Sequence, residues 1–169
     1  MAYTTINKSA DYFNTKLYAG NNSSTHAITG VGFQPDWTWI KSRNFGESHR
    51  IFDAVREASN HISSNANVAQ SSSYPLTSFD SDGFTIGSSD GSVNGNYNYA
   101  SWNWKANGQG SSNTTGSINT TYTSANTTSG FSIIKYNGNG TGGATIGHGL
   151  GAAPKLVIIK RTDTTSNWI

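Results

Sequence analysis

Apolar and aromatic residues along this chain fall in short runs, each closed by a cluster of Gly, Asn, Ser or Asp. Runs of this kind are strand signals, and the clusters between them are turn signals. They predict strands at residues 3–7, 13–18, 37–42, 76–79, 84–86, 97–104, 131–136 and 155–160. The segment Phe79-Asp80-Ser81-Asp82-Gly83-Phe84 reads as a hairpin whose Asp-Gly pair supplies the turn. In residues 97–104, Tyr97 and Tyr99 share one face while Trp102 and Trp104 share the other. A bulge near Ala100 would bring all four to one side. Helical spacing occurs only in residues 49–58, through Ile51, Phe52 and Val55, and the same residues also fit a strand. The pattern is that of an all-β sandwich or barrel.

The pattern also repeats. Residues 130–161 echo residues 12–43: Phe13 maps to Phe131, Tyr18 to Tyr136, Gly20 to Gly138 and Ile28 to Ile146 at an offset of 118. After a one-residue shift, Gly30 maps to Gly149, Gly32 to Gly151, Pro35 to Pro154, Ile40 to Ile159 and Lys41 to Lys160. A period this long implies duplication of a whole domain rather than a solenoid of short units. Residues 106–117 have almost no apolar content and read as a flexible joint. The expected organisation is one complete unit over 1–107, a linker over 108–117 and the start of a second unit over 118–169.

Composition sharpens this picture. Charged residues are only 12 % of the chain, and the polarity comes from Asn, Ser, Thr and Gly. That balance predicts a small aromatic core under a neutral skin of hydroxyls and amides. A net charge of +2 without a Lys/Arg cluster argues against nucleic acid. With no cysteine there is neither disulfide nor thiolate chemistry. No apolar run approaches a membrane span, and the N-terminus lacks the pattern of a signal peptide.

Candidate chemistry is sparse. Trp37 and Trp39 invite a sugar-stacking reading, but the repeat sets Leu156 and Ile158 opposite them. Aliphatic residues fill a core and cannot form a stacking platform, so this comparison assigns both tryptophans to the core. The pattern G-x-G-x-x-G at residues 138–143 is not followed by a helix, as a dinucleotide site requires. Asp80-Ser81-Asp82-Gly83 and residues 90–96 carry oxygen ligands at calcium-loop spacing without the downstream Glu. Turn chemistry is the default there, with Asp80 and Asp82 the candidates for a structural calcium. No other cofactor is expected. Glu47, Asp53 and Glu57 form the only close carboxylate group, but they lie among Arg43, Arg50 and Arg56, which points to ion pairing rather than glycoside hydrolysis. Nothing in the sequence marks a catalytic centre, and the chain reads as a non-enzyme.

The run GFQPDWTWIKSRN, the hairpin around FDSDG, the segment SWNWKA and the later run GHGLGAAP together resemble a repeated β domain. That domain occurs in virion structural and tail-fibre-like proteins of tailed bacteriophages, especially marine and cyanobacterial ones. The resemblance implies antiparallel sandwich units of the jelly-roll or concanavalin A-like kind, strung in series on an exposed appendage of the virion. It also implies other virion proteins and host-surface polysaccharide as partners, homo-oligomerisation, and no membrane insertion. The glycan-contacting residues expected on this reading lie in the loops 20–26 and 88–98 and on the strand that follows: His26, Tyr97, Tyr99 and Trp102. A spacer or decoration repeat without a ligand, and a secreted carbohydrate-binding or adhesin module, are the alternatives.

Overall fold

The computed structural model describes residues 6–73 and 75–169, which fold into antiparallel β-sheets with no α-helix. A 3-10 turn, Ser9–Asp11, leads into ten strands. These are β1 (Phe13–Ala19), β2 (His26–Thr29), β3 (Trp37–Ser42), β4 (Arg50–Asp53), β5 (His61–Ser63), β6 (Leu76–Asp80), β7 (Gly83–Ile86), β8 (Asn98–Trp104), β9 (Thr120–Asn126) and β10 (Phe131–Tyr136). A five-stranded sheet has the order β1-β8-β3-β4-β5, a three-stranded sheet the order β2-β7-β6, and β9 and β10 form a separate hairpin. The first two sheets face each other as a sandwich. Ile40, Phe52 and Tyr99 from the larger sheet meet Ile28, Leu76, Phe84 and Ile86 from the smaller one.

Strand parity decides which residues reach that core. Side chains alternate between faces along a strand. In β3, Thr38, Ile40 and Ser42 point inward and are buried, while Trp37, Trp39 and Lys41 point outward and are half-buried. In β8, Tyr99, Ser101 and Asn103 point inward. The register of β8 with β1 and β3 is unbroken from Asn98 to Trp104, so the expected bulge near Ala100 does not form. The assignment of Trp37 and Trp39 to the core is therefore corrected: with Ile40 inside, parity sends both tryptophans to the other face. Residues 49–58 form β4 and a following turn, not a helix, because Ile51 and Phe52 are needed on opposite faces of the sheet.

Most buried polar groups of the described residues find local partners, with Ser42 Oγ and His61 Nδ1 among the exceptions. The Tyr18 and Tyr99 rings stack at 5.1 Å and donate their hydroxyls to the carbonyls of Val93 and Gly91. Burial pushes the Tyr18 phenol well up and raises Tyr99 to about 12. Asn94, fully buried, joins the loops at this end. Its amide donates to Asn21 Oδ1 and to the carbonyls of Ser23 and Ser88, and its Oδ1 accepts from the Asn21 N–H. Gly20 passes so close beneath that a Cβ there would lie 2.0 Å from the Gly95 carbonyl. At the opposite edge, the buried Arg56 guanidinium donates to Asp53 at 2.7 Å, to Gln70 and to the Ile51 carbonyl.

The echo seen in the sequence is also geometric. Gly30 and Gly32 have positive φ, and so do their counterparts Gly149 and Gly151. A side chain is strained in that conformation, which is why glycine recurs at both pairs. At the sequence offset of 118, β10 corresponds to β1, although β10 pairs with β9 and β1 with β8. Ile159 exchanges two backbone hydrogen bonds with Ile169, the same pairing, at an offset of 119, as Ile40 with Arg50. The expected strand at 155–160 is nevertheless absent. Apart from the Ile159–Ile169 pair and the bridge from Lys160 to Trp168, this stretch has no ladder among the described residues. Residues 106–117 are held against β9 through Ser111–Thr123 and Asn113–Thr120 hydrogen bonds. The strand expected at 3–7 falls largely outside the described residues.

Two measurements follow. Asp53→Ala would leave the buried Arg56 charge uncompensated and should cost about 3 kcal/mol in urea-unfolding stability. Arg161→Ala, which breaks the exposed pair with Asp163, should cause no measurable change. His61 is buried, and its Nδ1 has no hydrogen-bond partner. Desolvation, with Arg50 and Arg56 nearby and Asp90 opposing them, lowers its pKa to about 4. Its unfolded value is about 6.5, so below that pH the unfolded state binds the proton first. Stability should fall as pH drops from about 6.5 to about 4. Thermal unfolding across that window should show a steeper dependence in wild type than in His61→Gln, with the remainder coming from other shifted groups such as His49.

Candidate functional site

The outward parity of β3 and β8 places four tryptophans on one surface. In register, Trp37 stands beside Trp104 and Trp39 beside Trp102, while Phe13 and Thr15 of β1 lie against Trp104 and Trp102. The rings touch in sequence. Phe13 and Trp104 are 4.6 Å apart between centroids, Trp104 and Trp37 4.6 Å, Trp37 and Trp39 6.0 Å, and Trp39 and Trp102 5.7 Å. Most are tilted or edge-to-face, the arrangement that ring quadrupoles favour. The tryptophans are half-buried, while Phe13 is 38 % and Leu17 57 % exposed. Trp168, elsewhere, spends its indole N–H on the Ser63 and Ala66 carbonyls. Among the described residues no acceptor faces the indole N–H of Trp37, Trp102 or Trp104, and none is enclosed.

The rim of this face is polar but nearly neutral. Lys41 turns its ammonium to the carbonyls of Phe45 and Glu47. His49 lies 6.2 Å from the Trp39 ring, and desolvation, with Lys41 beside it, lowers its pKa. Asp53, on the same face in register with Trp37, is committed to Arg56. At the other end Phe131 of β10 leans on Trp37 and Trp104, 6.3 and 6.1 Å between centroids, and caps the row.

The residues singled out from the sequence are dispersed. Trp102 belongs to the aromatic face. Tyr99 points into the core and is fully buried. Tyr97, half-buried, stacks at 4.1 Å on Phe45, which is 46 % exposed, and forms a small second aromatic surface. His26 places Nδ1 2.8 Å from Asn94 Oδ1; that oxygen can only accept, so Nδ1 carries the proton and the ring is bound into the loop network. Asp80 accepts from Ser78 and Thr85, whereas Asp82 accepts from the N–H groups of Gly32 and Gly30. Those two backbone donors hold the Asp82 carboxyl below its usual range. The two carboxylates thus serve separate turns, and no group of three acidic or histidine side chains among the described residues could hold a metal.

Neither remaining feature adds chemistry. A concavity of about 620 Å³ lies between residues 113–116 and 145–153, with His148 its one titratable group, and the His148 Nδ1 accepts from the Leu150 N–H. No helix of the described residues is long and apolar enough to cross a membrane.

A family profile described as "Domain of unknown function (DUF7483)" matches residues 8–169. The chain belongs to the DUF7483 family. The match runs from before β1 to the last residue and so takes in the sandwich, the β9–β10 hairpin and the stretch beyond as one DUF7483 region. No curated protein and no solved structure matches the chain.

The aromatic face was missed from the sequence because Trp37 and Trp39 were judged by the repeat and not by parity. The signal was present: Ile40 is the natural core residue of β3, and its neighbours at odd spacing must face away. Phe131→Ala should uncap the row. The expected result is a red-shifted, more readily quenched tryptophan emission, with far-UV circular dichroism unchanged.

Proposed function

We propose that this DUF7483 chain is a non-enzymatic β-sandwich module that contacts neutral glycans through the outward face of its five-stranded sheet. The observation carrying the reading is the row of four tryptophans with three indole N–H groups free of protein acceptors. Flat aromatic faces stack on the C–H faces of pyranose rings, and free N–H donors orient the hydroxyls. Asp53, the carboxylate in register with Trp37, is committed to Arg56, so the face offers no pair of free carboxyl groups of the kind that glycoside hydrolysis requires, which suits an uncharged ligand. A single site of this kind would be weak, and presentation in multiple copies would raise avidity. That is the use expected on an exposed phage appendage, the setting implied by the resemblance in the sequence. Host-surface polysaccharide is then the partner, with Trp102, Trp104, Trp37 and Trp39 as the contact residues. Tyr97 with Phe45 is an auxiliary surface. Tyr99 and His26 are left to structural duties.

A spacer role is the second reading, and the seating of Phe131 on Trp37 and Trp104 favours it. On that reading the row is where one unit packs on the next.

The two separate in a fluorescence titration of the full chain with a panel of neutral bacterial polysaccharides. Glycan contact predicts saturable quenching with one class, weakened about tenfold in a folded Trp102→Ala variant and retained in Trp168→Phe. Absence of saturable change across the panel would favour the spacer. Release of reducing ends during incubation would overturn the non-enzymatic assignment.

A further inference from the structure

The outward face of the larger sheet does not end at Trp39 and Trp102. Two residues further along, on the same side, Lys41 of β3 lies beside Ala100 of β8, with Leu17 of β1 on the other flank. Asn98 follows on β8 and is exposed. The outward Lys41 ammonium donates to the carbonyls of Phe45 and Glu47, each at 3.1 Å, which draws the loop after β3 onto this side of the sheet. The loop is also pinned from β8, where the Asn98 N–H donates to Asn44 Oδ1 at 2.9 Å. Tyr97 packs against the core cluster and stacks on the Phe45 ring at 4.1 Å, with the two planes 5° apart. A parallel stack covers one face of a ring and leaves the other. Phe45 is 46 % exposed, so a flat apolar ring is held in place within an otherwise polar loop.

We propose that Phe45 is a second contact residue of the glycan site, placed so that one extended neutral polysaccharide chain runs along β8 from Trp102 and Trp104 to Phe45. This rests on the reading of the aromatic face as a glycan surface. Three features specify the occupant. The first is length. Trp104 and Asn98 stand at opposite ends of β8, which sets the two contact regions roughly 20 Å apart. A single sugar cannot touch both, whereas a chain can. The second is rigidity. Tyr97, Lys41 and Asn98 fix the Phe45 loop before anything binds, so little ordering is left for the complex to supply. The third is the surrounding chemistry. Asn44, Asn96 and Asn98 are exposed, and their side-chain nitrogens donate to nothing among the described residues. Uncharged amides beside a flat apolar ring match the hydroxyls and the C–H face of a neutral sugar. Between the two regions Ala100 is the smallest residue of the row, which leaves the chain a low path between Leu17 and Lys41.

The test is isothermal titration calorimetry of the full chain with size-graded oligosaccharides, cut by partial hydrolysis from the neutral bacterial polysaccharide that quenches its fluorescence. Affinity should rise with chain length up to a span of about 20 Å and then level off. Phe45→Ala should weaken the long fractions about tenfold and leave the short ones unchanged, with far-UV circular dichroism as in wild type. Phe45→Tyr should keep the wild-type profile, because it keeps the ring. Trp102→Ala should weaken long and short fractions alike. The proposal fails, with the glycan reading intact, if affinity is independent of length or if Phe45→Ala binds long fractions as wild type does. If no polysaccharide of the panel binds, the glycan reading falls and this proposal with it. Self-association of the chain that Phe45→Ala abolishes would make the ring a contact between copies and likewise overturn it.

Discussion

The two-residue period of β3 and β8 governs the rest of the molecule. Once Ile40 and Tyr99 enter the core, every second position is committed to the opposite face, and in these strands those positions hold tryptophan. The core and the aromatic surface are therefore two sides of a single constraint, and one cannot be moved without the other. A one-residue slip of β8 would exchange Tyr99 and Asn103 for Trp102 and Trp104 inside the sandwich. Against such a slip, Thr38 and Asn103 form a buried hydrogen bond at 3.0 Å, and Asn103 also reaches the Asn14 carbonyl on β1. These inward polar residues specify register more than they add stability.

The low charge of the chain shapes how its loops are held. Where other proteins use ion pairs, this one uses amides. Asn94 organises the loops around residues 21–26 and 88–95, and Asn14 reaches from β1 to the Val31 carbonyl. Such contacts are short-ranged and directional, so they fix loop positions without creating a field. The Asp53–Arg56 pair is the buried exception among the described residues, and its guanidinium also reaches the Ile51 carbonyl, whereas the Lys8–Asp11 and Arg161–Asp163 pairs are exposed.

Strand positions were legible in the sequence because aromatic and β-branched runs are bounded by strong turn residues. β1, β3, β6, β7, β8 and β10 lie within a residue or so of expectation. The short strands β2 and β5 were not legible, since His26–Thr29 and His61–Ser63 carry too few apolar residues to show a period. Residues 155–160 have the composition of a strand, but a strand needs a partner, which composition does not supply. The site was only partly legible: Trp102 could be named, whereas its association with Trp37, Trp39 and Phe13 depends on pairing between strands distant in sequence. His26 and Tyr99 drew attention as polar aromatics near loops, but buried amides and carbonyls had already engaged them.

One detail of the β1–β8 pairing has a mechanical meaning. Phe13, where the chain enters the sandwich, lies opposite Trp104, where it leaves, and the Lys105 N–H bonds the Tyr12 carbonyl just outside them. A pull applied through the two ends of this unit would not shear the sheet along its length. It would load the Tyr12–Lys105 rung first and then peel β1 from β8 one pair at a time, beginning at the Phe13–Trp104 ring contact. Until that contact opened, the sandwich would hang to one side of the line of force, and tension would pass by its core.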